Sequence, residues 1–519
     1  MSLDSLIRTG GSTGVDPLLL AGVGGAGLVG SATYASIRAY TGDSTAINCS
    51  GRENVFDMAH GVFVRDLSDT TSPDNDGTIL IDALGRRWKR QLSGFSAPEW
   101  FGAKGDAVAN DSPAMTSALS LGMSVKCLSQ TYRLTSKVDL IEPFDFDGNN
   151  AEFMIDHAGD GLYVKSSVYA NKRNICSLLN VNFIPGAITP NSLITIGEAT
   201  VLEPTNIQLD GIHFQYTFAG QSHIVNKRSY GLKINNSAFN EVVGTCILFE
   251  SGVGGDGSRY SYNCYIGQVD ITGCTHGVIV EGGKINISNS VIESCTGRAL
   301  WAKGSSFNAS IYVDNVYFEN NVYSLYFESQ QPQGYTRNSE IRNSFFAGNS
   351  GLCYASDNND IRLSNNKGFT FDRVTGSGNW SLAGTQFPVP YNATTCPTSR
   401  LRFESPVRVE YDVIQANTRN IVPYFNLRKV SSGRLGTAMK ITIVRQSGAS
   451  ATYYQAILLP TATDGTSWRE IVIASSSVGG IIANPSYERS GDVNNMNLYF
   501  YFTQPAVTIV TIEGDGGFC

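Results

Sequence analysis

Ile287-Ser-Asn-Ser-Val-Ile-Glu293, Val313-Asp-Asn-Val-Tyr-Phe-Glu319 and Ile341-Arg-Asn-Ser-Phe-Phe-Ala347 are three copies of one phrase. Looser copies precede them: Leu179-Asn-Val-Asn-Phe183, Leu209-Asp-Gly-Ile-His-Phe-Gln215 and Ile234-Asn-Asn-Ser-Ala-Phe-Asn240. The central residue marks the repeat at Asn180, Gly211, Asn236, Gln268, Asn289, Asn315, Asn343 and Asn365, with gaps of 31, 25, 32, 21, 26, 28 and 22 residues. A period in this range is the signature of a solenoid or propeller. Apolar and polar residues alternate locally with period two, Val, Ile, Tyr and Phe are frequent, and no segment has a 3.6-residue apolar period. Helical repeats are therefore excluded, and propeller blades need about 40 residues or more. The fold class is all-β, a right-handed parallel β-helix whose coils stack at about 4.8 Å.

The repeat also assigns faces. Three residues after each marker stands an apolar residue (Phe183, Phe214, Phe239, Ile271, Ile292, Phe318, Phe346), and this column belongs inside. A second strand in each coil reads Ile247-Leu-Phe-Glu250, Val278-Ile-Val-Glu281, Leu300-Trp-Ala-Lys303, Leu325-Tyr-Phe-Glu328 and Leu352-Cys-Tyr-Ala355. By alternation Ile247, Val278, Leu300, Leu325 and Leu352 point in. Two outward columns follow: Leu248, Ile279, Trp301, Tyr326, Cys353, and Glu250, Glu281, Lys303, Glu328, Ala355.

A net charge of −7 over 519 residues leaves no basic footprint, so nucleic acid is not an expected partner. The ten cysteines have no metal spacing, and Cys274 and Cys295, six residues after their markers, should stack as thiols on neighbouring coils. No signal peptide opens the chain, and the Gly-rich run from Leu18 to Val29 is too short to span a membrane.

Three regions are expected. Residues 1–98 form an N-terminal attachment and neck region, with a short helix near Ala32–Tyr40 and a hairpin of Gly61–Asp66 with Thr78–Ala83. Its basic run Gly85-Arg-Arg-Trp-Lys-Arg90 reads as a solvated strand end. Residues 99–385 form the β-helix, opened by a helix that Asp111 or Ser112 caps, with Pro113 in its first turn, placed to plug the end of the solenoid. Residues 386–519 alternate strongly and read as a C-terminal antiparallel β-sandwich.

Trp100-Phe-Gly-Ala-Lys-Gly-Asp106, followed by Asn110-Asp-Ser112 and a small-residue helix, resembles the opening of pectate-lyase-like β-helices. The stretch from Ala32 through Phe63-Val-Arg-Asp66 to Arg86-Arg-Trp-Lys-Arg90 resembles the neck of bacteriophage tailspikes. With the coils, the resemblance covers about two thirds of the chain and implies a capsular polysaccharide depolymerase of a phage tail. It implies a homotrimer made in the host cytoplasm and carried on the virion, attached to the tail or to another tail fibre by its N-terminal region. The implied partner is a bacterial capsule or O-antigen polysaccharide, with no cofactor and no membrane insertion. Active-site sequences differ widely among such proteins, so no catalytic residue is carried over.

Candidate chemistry comes from the residues themselves. Glu293 and Glu319 follow the inward column on adjacent coils, with Asp270 near the same face. Two such carboxylates can share one proton, which suits glycosidic hydrolysis by an acid and a base or nucleophile. Glu250, next to the Gly-rich Gly252–Gly257 with Asp256 and Arg259, is a similar candidate. Trp301 and Tyr326, flanked by Glu281, Lys303 and Glu328, would bind sugar, or else sit in a subunit interface. His276, Arg298 and Tyr323 share a column with Thr245 and suit β-elimination on a uronate. A glycan-binding adhesin without catalysis would use the same surface. No nucleophile elbow, P-loop, zinc spacing or esterase triad is present. The implied trimer is tested by light scattering of the purified chain, where a mass of three chains is expected and a stable monomer would contradict the resemblance.

Overall fold

A computed structural model describes residues 32–368, apart from 56, 166–175, 199–203, 216–220, 242, 251–260, 305–308, 330–338, 349–352 and 357–359; beyond 368 it describes strands only. The apolar run Leu18–Val29 thus lies outside the described residues. The chain divides into two compact units, Met1–Thr195 with Pro204–Gln215, and Ile196–Glu203 with Tyr216–Cys519.

The first unit begins with the helix Tyr34–Arg38, whose N-cap Thr33 accepts the Ser36 amide. An antiparallel sheet follows in the order Ala46–Cys49, Gly61–Asp66, Arg87–Arg90, Ile79–Ile81. The expected hairpin is therefore corrected. Gly61–Asp66 and Ile79–Ile81 both pair with Arg87–Arg90, which inserts between them. The basic run is not a solvated end, because alternate residues of it face the core. Trp88 is fully buried and donates its indole N–H to Asp82. Arg90 is buried between the rings of Phe63 and Trp100 and donates to the carbonyls of Ala59 and His60, each at 2.8 Å, and to the Tyr34 hydroxyl. A charge is tolerated there because its donors are met by fixed acceptors.

The helix Ser112–Leu119 packs against the first strands with Met115 and Ala118 buried. Asp111 stands at its N-cap, but its carboxylate bonds elsewhere, to the amides of Lys104 (2.7 Å) and Arg133 (3.3 Å). In this unit Phe95–Ser96, Ser124–Lys126, Asp145–Ile155, Cys176–Pro185 and Ile207–Gln215 form one parallel ladder. Val138–Ile141, Asp160–Lys165 and Ser192–Ile196 form a second.

The second unit has the same kind of architecture. Its long strands include Lys233–Asn240, Cys264–Thr272, Gly283–Glu293 and Ala309–Glu319, in parallel register. Its short strands include Gly244–Phe249, His276–Val280, Arg298–Gly304, Tyr323–Ser329 and Cys353–Ala355, also parallel. The long-strand ladder runs on through Arg400–Phe403. Two antiparallel sheets follow: Val407–Ile414, Ala506–Gly514, Met439–Ser447, Ser450–Pro460 and Trp468–Ser475 in one, Arg419–Ile421, Met496–Phe502 and Ile482–Arg489 in the other. Parallel coils built from these strands give the β-helix.

Every marker residue has positive φ, from 47° at Asn236 to 65° at Gly211. This is the left-handed region, open to Gly and, among residues with a side chain, most readily to Asn. The turn slips the strand by one residue. Along Gly283–Glu293, Ile285 and Ile287 are buried before Asn289, and Ser290 and Ile292 after it. The seven residues placed three after the markers are all buried, and Phe183 stacks on Phe214 and Phe318 on Phe346. The marker amides join neighbouring coils: Asn315 donates to Asn289 (2.8 Å), Asn343 to Asp314 (2.8 Å) and Asn180 to Asp147 (3.0 Å). Cys274 and Cys295 are buried free thiols, with the Cys246 sulfur 2.7 Å from that of Cys274.

In the second ladder Ile247, Val278, Leu300 and Leu325 are buried as expected. The next coil is shifted by one residue. Cys353, not Leu352, pairs with Leu325 and is buried, Ala355 is buried beside Phe327, and Tyr354 takes the outward place. A one-residue slip exchanges the faces. Here it stacks Tyr354 on Tyr326, with centroids 4.4 Å apart, and puts the small thiol inside.

Asn315→Val should destabilise the protein by about 2 kcal/mol, the cost of a Cβ-branched residue in the left-handed region plus a lost amide bond. Asn315→Gly should cost less, and comparison of the two melting curves checks the assignment.

Candidate functional site

Two outward faces of the second unit carry the candidate residues. The first lies at the end of the long strands. Glu293 and Glu319 are direct register partners on adjacent coils, about 4.8 Å apart in backbone. Each precedes a residue with positive φ, Ser294 and Asn320, in a second corner column that also contains Glu241, Gly273 and Gly348. Amides of this column bond the next coil at the carboxylate positions: Gly273 N–H to the Glu293 carbonyl (3.1 Å) and Ser294 N–H to that of Glu319 (2.8 Å). The backbone beneath both carboxylates is thereby fixed in register.

Tyr317 Oη donates to Glu319 Oε2 at 2.9 Å. That bond, with the negative charges of Glu319 and Glu293, holds the phenol above its ordinary pKa. Thr272 Oγ1 lies 2.9 Å from Asp270 Oδ1 and 3.3 Å from Glu293 Oε1, so Asp270 joins the group through this hydroxyl. Among the described residues no basic side chain pairs with Glu293 or Glu319. Beside them Tyr317 and Phe345 stack, with centroids 5.6 Å apart and planes at 15°, and Phe345 is 44% exposed. The sequence reading missed this platform. Its signal was the alternation: a residue one place before each inward phenylalanine must face out.

The second face lies on the short strands. Thr245, His276, Arg298 and Tyr323 share one column and Ile279, Trp301, Tyr326 and Tyr354 another, with Tyr354 where Cys353 was expected. These columns merge into one patch. The Arg298 guanidinium carbon lies 3.9 Å from the centroid of Trp301 and 4.1 Å from that of Tyr326. Tyr323 meets Tyr326 edge-on at 5.1 Å, and His276 lies 5.5 Å from Trp301. Trp301 Nε1 donates to Glu328 (3.2 Å), and Lys303 pairs with Glu281 (2.9 Å). Glu250 is half-buried one coil earlier, while Arg259 and the Gly-rich loop lie outside the described residues.

His276 Nδ1 accepts the Arg298 backbone N–H at 3.1 Å. The ring's pKa is lowered, first by burial and then by the Arg298 charge. A neutral ring whose Nδ1 accepts must carry its proton on Nε2, so it presents a donor and no free lone pair. Among the described residues no group of His, Cys, Asp and Glu could hold a metal ion. His276 should titrate below the ordinary 6.5 by NMR, and Arg298→Gln should raise its pKa by removing a like charge; an unchanged value would separate the two side chains.

Residues 31–93 match the model of the phage tail protein small four-stranded beta-sheet domain. Solved structures similar to the chain include the enzymatically active domain of tailspike protein 4 of bacteriophage CBA120, at 11% identity and TM-score 0.52, covering 95% of this chain and 76% of that one. Another is the tailspike protein of Acinetobacter baumannii phage AM24, at 14% identity and TM-score 0.43, covering 93% and 94%. A third is a tailspike of Acinetobacter baumannii bacteriophage Fri1, described as a capsular polysaccharide depolymerase, at 9% identity and TM-score 0.43, covering 93% and 97%. The antiparallel sheet of the N-terminal region thus lies within the stretch that matches the phage tail small four-stranded β-sheet domain, and the chain's fold is similar to that of a tailspike protein's enzymatically active domain.

Proposed function

We propose that this chain is a phage tailspike that binds and cuts a bacterial surface polysaccharide, capsule or O-antigen, by glycosidic hydrolysis. The observation that carries the chemistry is the register pairing of Glu293 with Glu319 beside the stacked rings of Tyr317 and Phe345. The phage tail domain at residues 31–93 and the fold shared with an enzymatically active tailspike domain support the setting.

In this reading the aromatic pair takes the apolar face of a sugar ring. Glu319, held by the Tyr317 hydroxyl, is the carboxylate that attacks or stabilises the anomeric carbon. Glu293 protonates the leaving oxygen, with Asp270 and Thr272 beside it. Adjacent coils set the two backbones about 4.8 Å apart, a spacing that suits the roughly 5–5.5 Å between the carboxyls of retaining enzymes better than the wider gap that admits a water, so retention of anomeric configuration is the expected outcome. Elimination is less well served, because it needs a base and His276 has spent its lone pair on the Arg298 amide. As a homotrimer on the virion tail, the protein would act on host-cell glycan at attachment.

Purified capsular and O-antigen polysaccharides, digested with the protein, should yield new reducing ends without the ultraviolet absorbance of an unsaturated uronate. Glu293→Gln and Glu319→Gln should each lower the rate by about 10²–10⁴-fold with unchanged melting. Full activity in both variants would remove the pair. Absorbance rising with the reducing ends would make the enzyme a lyase, and binding without either signal would make it an adhesin.

A further inference from the structure

Arg298 stands apart from its neighbours in the short-strand patch. Lys303 has Glu281, Glu328 has the Trp301 indole, and His276 Nδ1 has a backbone amide. The Arg298 guanidinium lies against Trp301 and Tyr326, yet among the described residues it meets no carboxylate and no carbonyl, and its Nε is buried without a hydrogen-bond partner. Burying a guanidinium donor without an acceptor is unfavourable, so such a group normally finds one. Aromatic faces hold the cation in place but accept none of its hydrogen bonds in the plane of the fork.

We propose that this patch is a binding subsite for an acidic sugar residue, in which Arg298 takes the carboxylate of a uronate and the Trp301–Tyr326–Tyr354 shelf takes the sugar ring. The fork of the guanidinium matches a planar carboxylate through two parallel hydrogen bonds, which a lysine cannot reproduce. Tyr354 stacks on Tyr326 at 4.4 Å and Trp301 meets Tyr326 edge-on at 6.0 Å, extending the shelf over three coils. His276, neutral with its proton on Nε2, adds a donor to the same surface and no negative charge. Of the acidic side chains beside the shelf, Glu328 is held by the Trp301 indole and Glu281 by Lys303.

The inference rests on the polysaccharide reading for the ligand's identity and specifies that substrate as acidic. It also places the subsite close to the carboxylate pair. Five Cα–Cα steps join Glu293 to Arg298, which limits their Cα separation to at most about 18 Å. A separation of that size lies within the length of a short oligosaccharide.

The test is saturation-transfer NMR on the full-length Glu293→Gln variant, with D-glucuronate, D-glucose and inorganic phosphate as probes. Glucuronate should give transfer to its ring protons, with glucose bound about tenfold or more weakly. Arg298→Gln should abolish the glucuronate signal, and Arg298→Lys should lose most of it while keeping the charge and the fold. Equal signals for glucuronate and glucose, or a glucuronate signal unchanged in Arg298→Gln, would overturn the subsite. Phosphate displacing glucuronate at equal concentration would reduce it to an anion site that makes no use of the aromatic shelf. Glucuronate binding that depends on Arg298, in a protein that cleaves no polysaccharide, would leave the subsite standing and remove the hydrolase reading instead.

Discussion

Each long strand of the β-helix has to change direction without leaving the hydrogen-bonded ladder, and one left-handed residue per coil does this. At Asn289, Asn315 and their counterparts the backbone takes positive φ, the strand slips by one residue, and inward positions before and after the corner face one interior. For a residue with a Cβ this conformation is unfavourable by about 1–2 kcal/mol. The amide ladder, as from Asn315 to Asn289, offsets part of that cost. The packed phenylalanine column, the spacing of the coils and the outward columns all follow from keeping these corners in register.

A second corner, five residues later, positions the proposed carboxylate pair. Glu241, Gly273, Ser294, Asn320 and Gly348 share positive φ, and the residue before each sits at the lip of the turn. Glu293 and Glu319 occupy that lip on adjacent coils. Their backbones are paired by the same ladder that stacks the core, and the half-buried ring of Tyr317 and the exposed ring of Phe345 are brought into register beside them in the same way. Past the turn, the short strand opens with Arg298 and leads to Trp301. An extended outward surface thus arises from the regular repetition of a short unit.

The N-terminal sheet works differently. There a buried arginine between Phe63 and Trp100, with its donors on Ala59, His60 and Tyr34, ties together segments distant in sequence. Local alternation suggested a hairpin of the two apolar runs. The pairing is decided by the basic strand between them, whose Trp88 and Arg90 find partners only once the domain has assembled.

The amino-acid sequence alone determined the coil. Asn and Gly at the first corner are nearly obligatory for left-handed backbone, so their spacing was readable, and with it the inward phenylalanines and the pairing of Glu293 with Glu319. The second corner was not readable, because Glu, Gly, Ser and Asn all occupy it and only hydrogen bonds to the next coil hold it there. Nor was the register of Cys353, since period two permits either face and the stacking of Tyr354 on Tyr326 decides between them. The tertiary structure alone merged Arg298 with Trp301 and Tyr326 and assigned the proton on His276. Those are relations between coils more than twenty residues apart, and a side chain's electrostatic surroundings exist only once the coils are stacked.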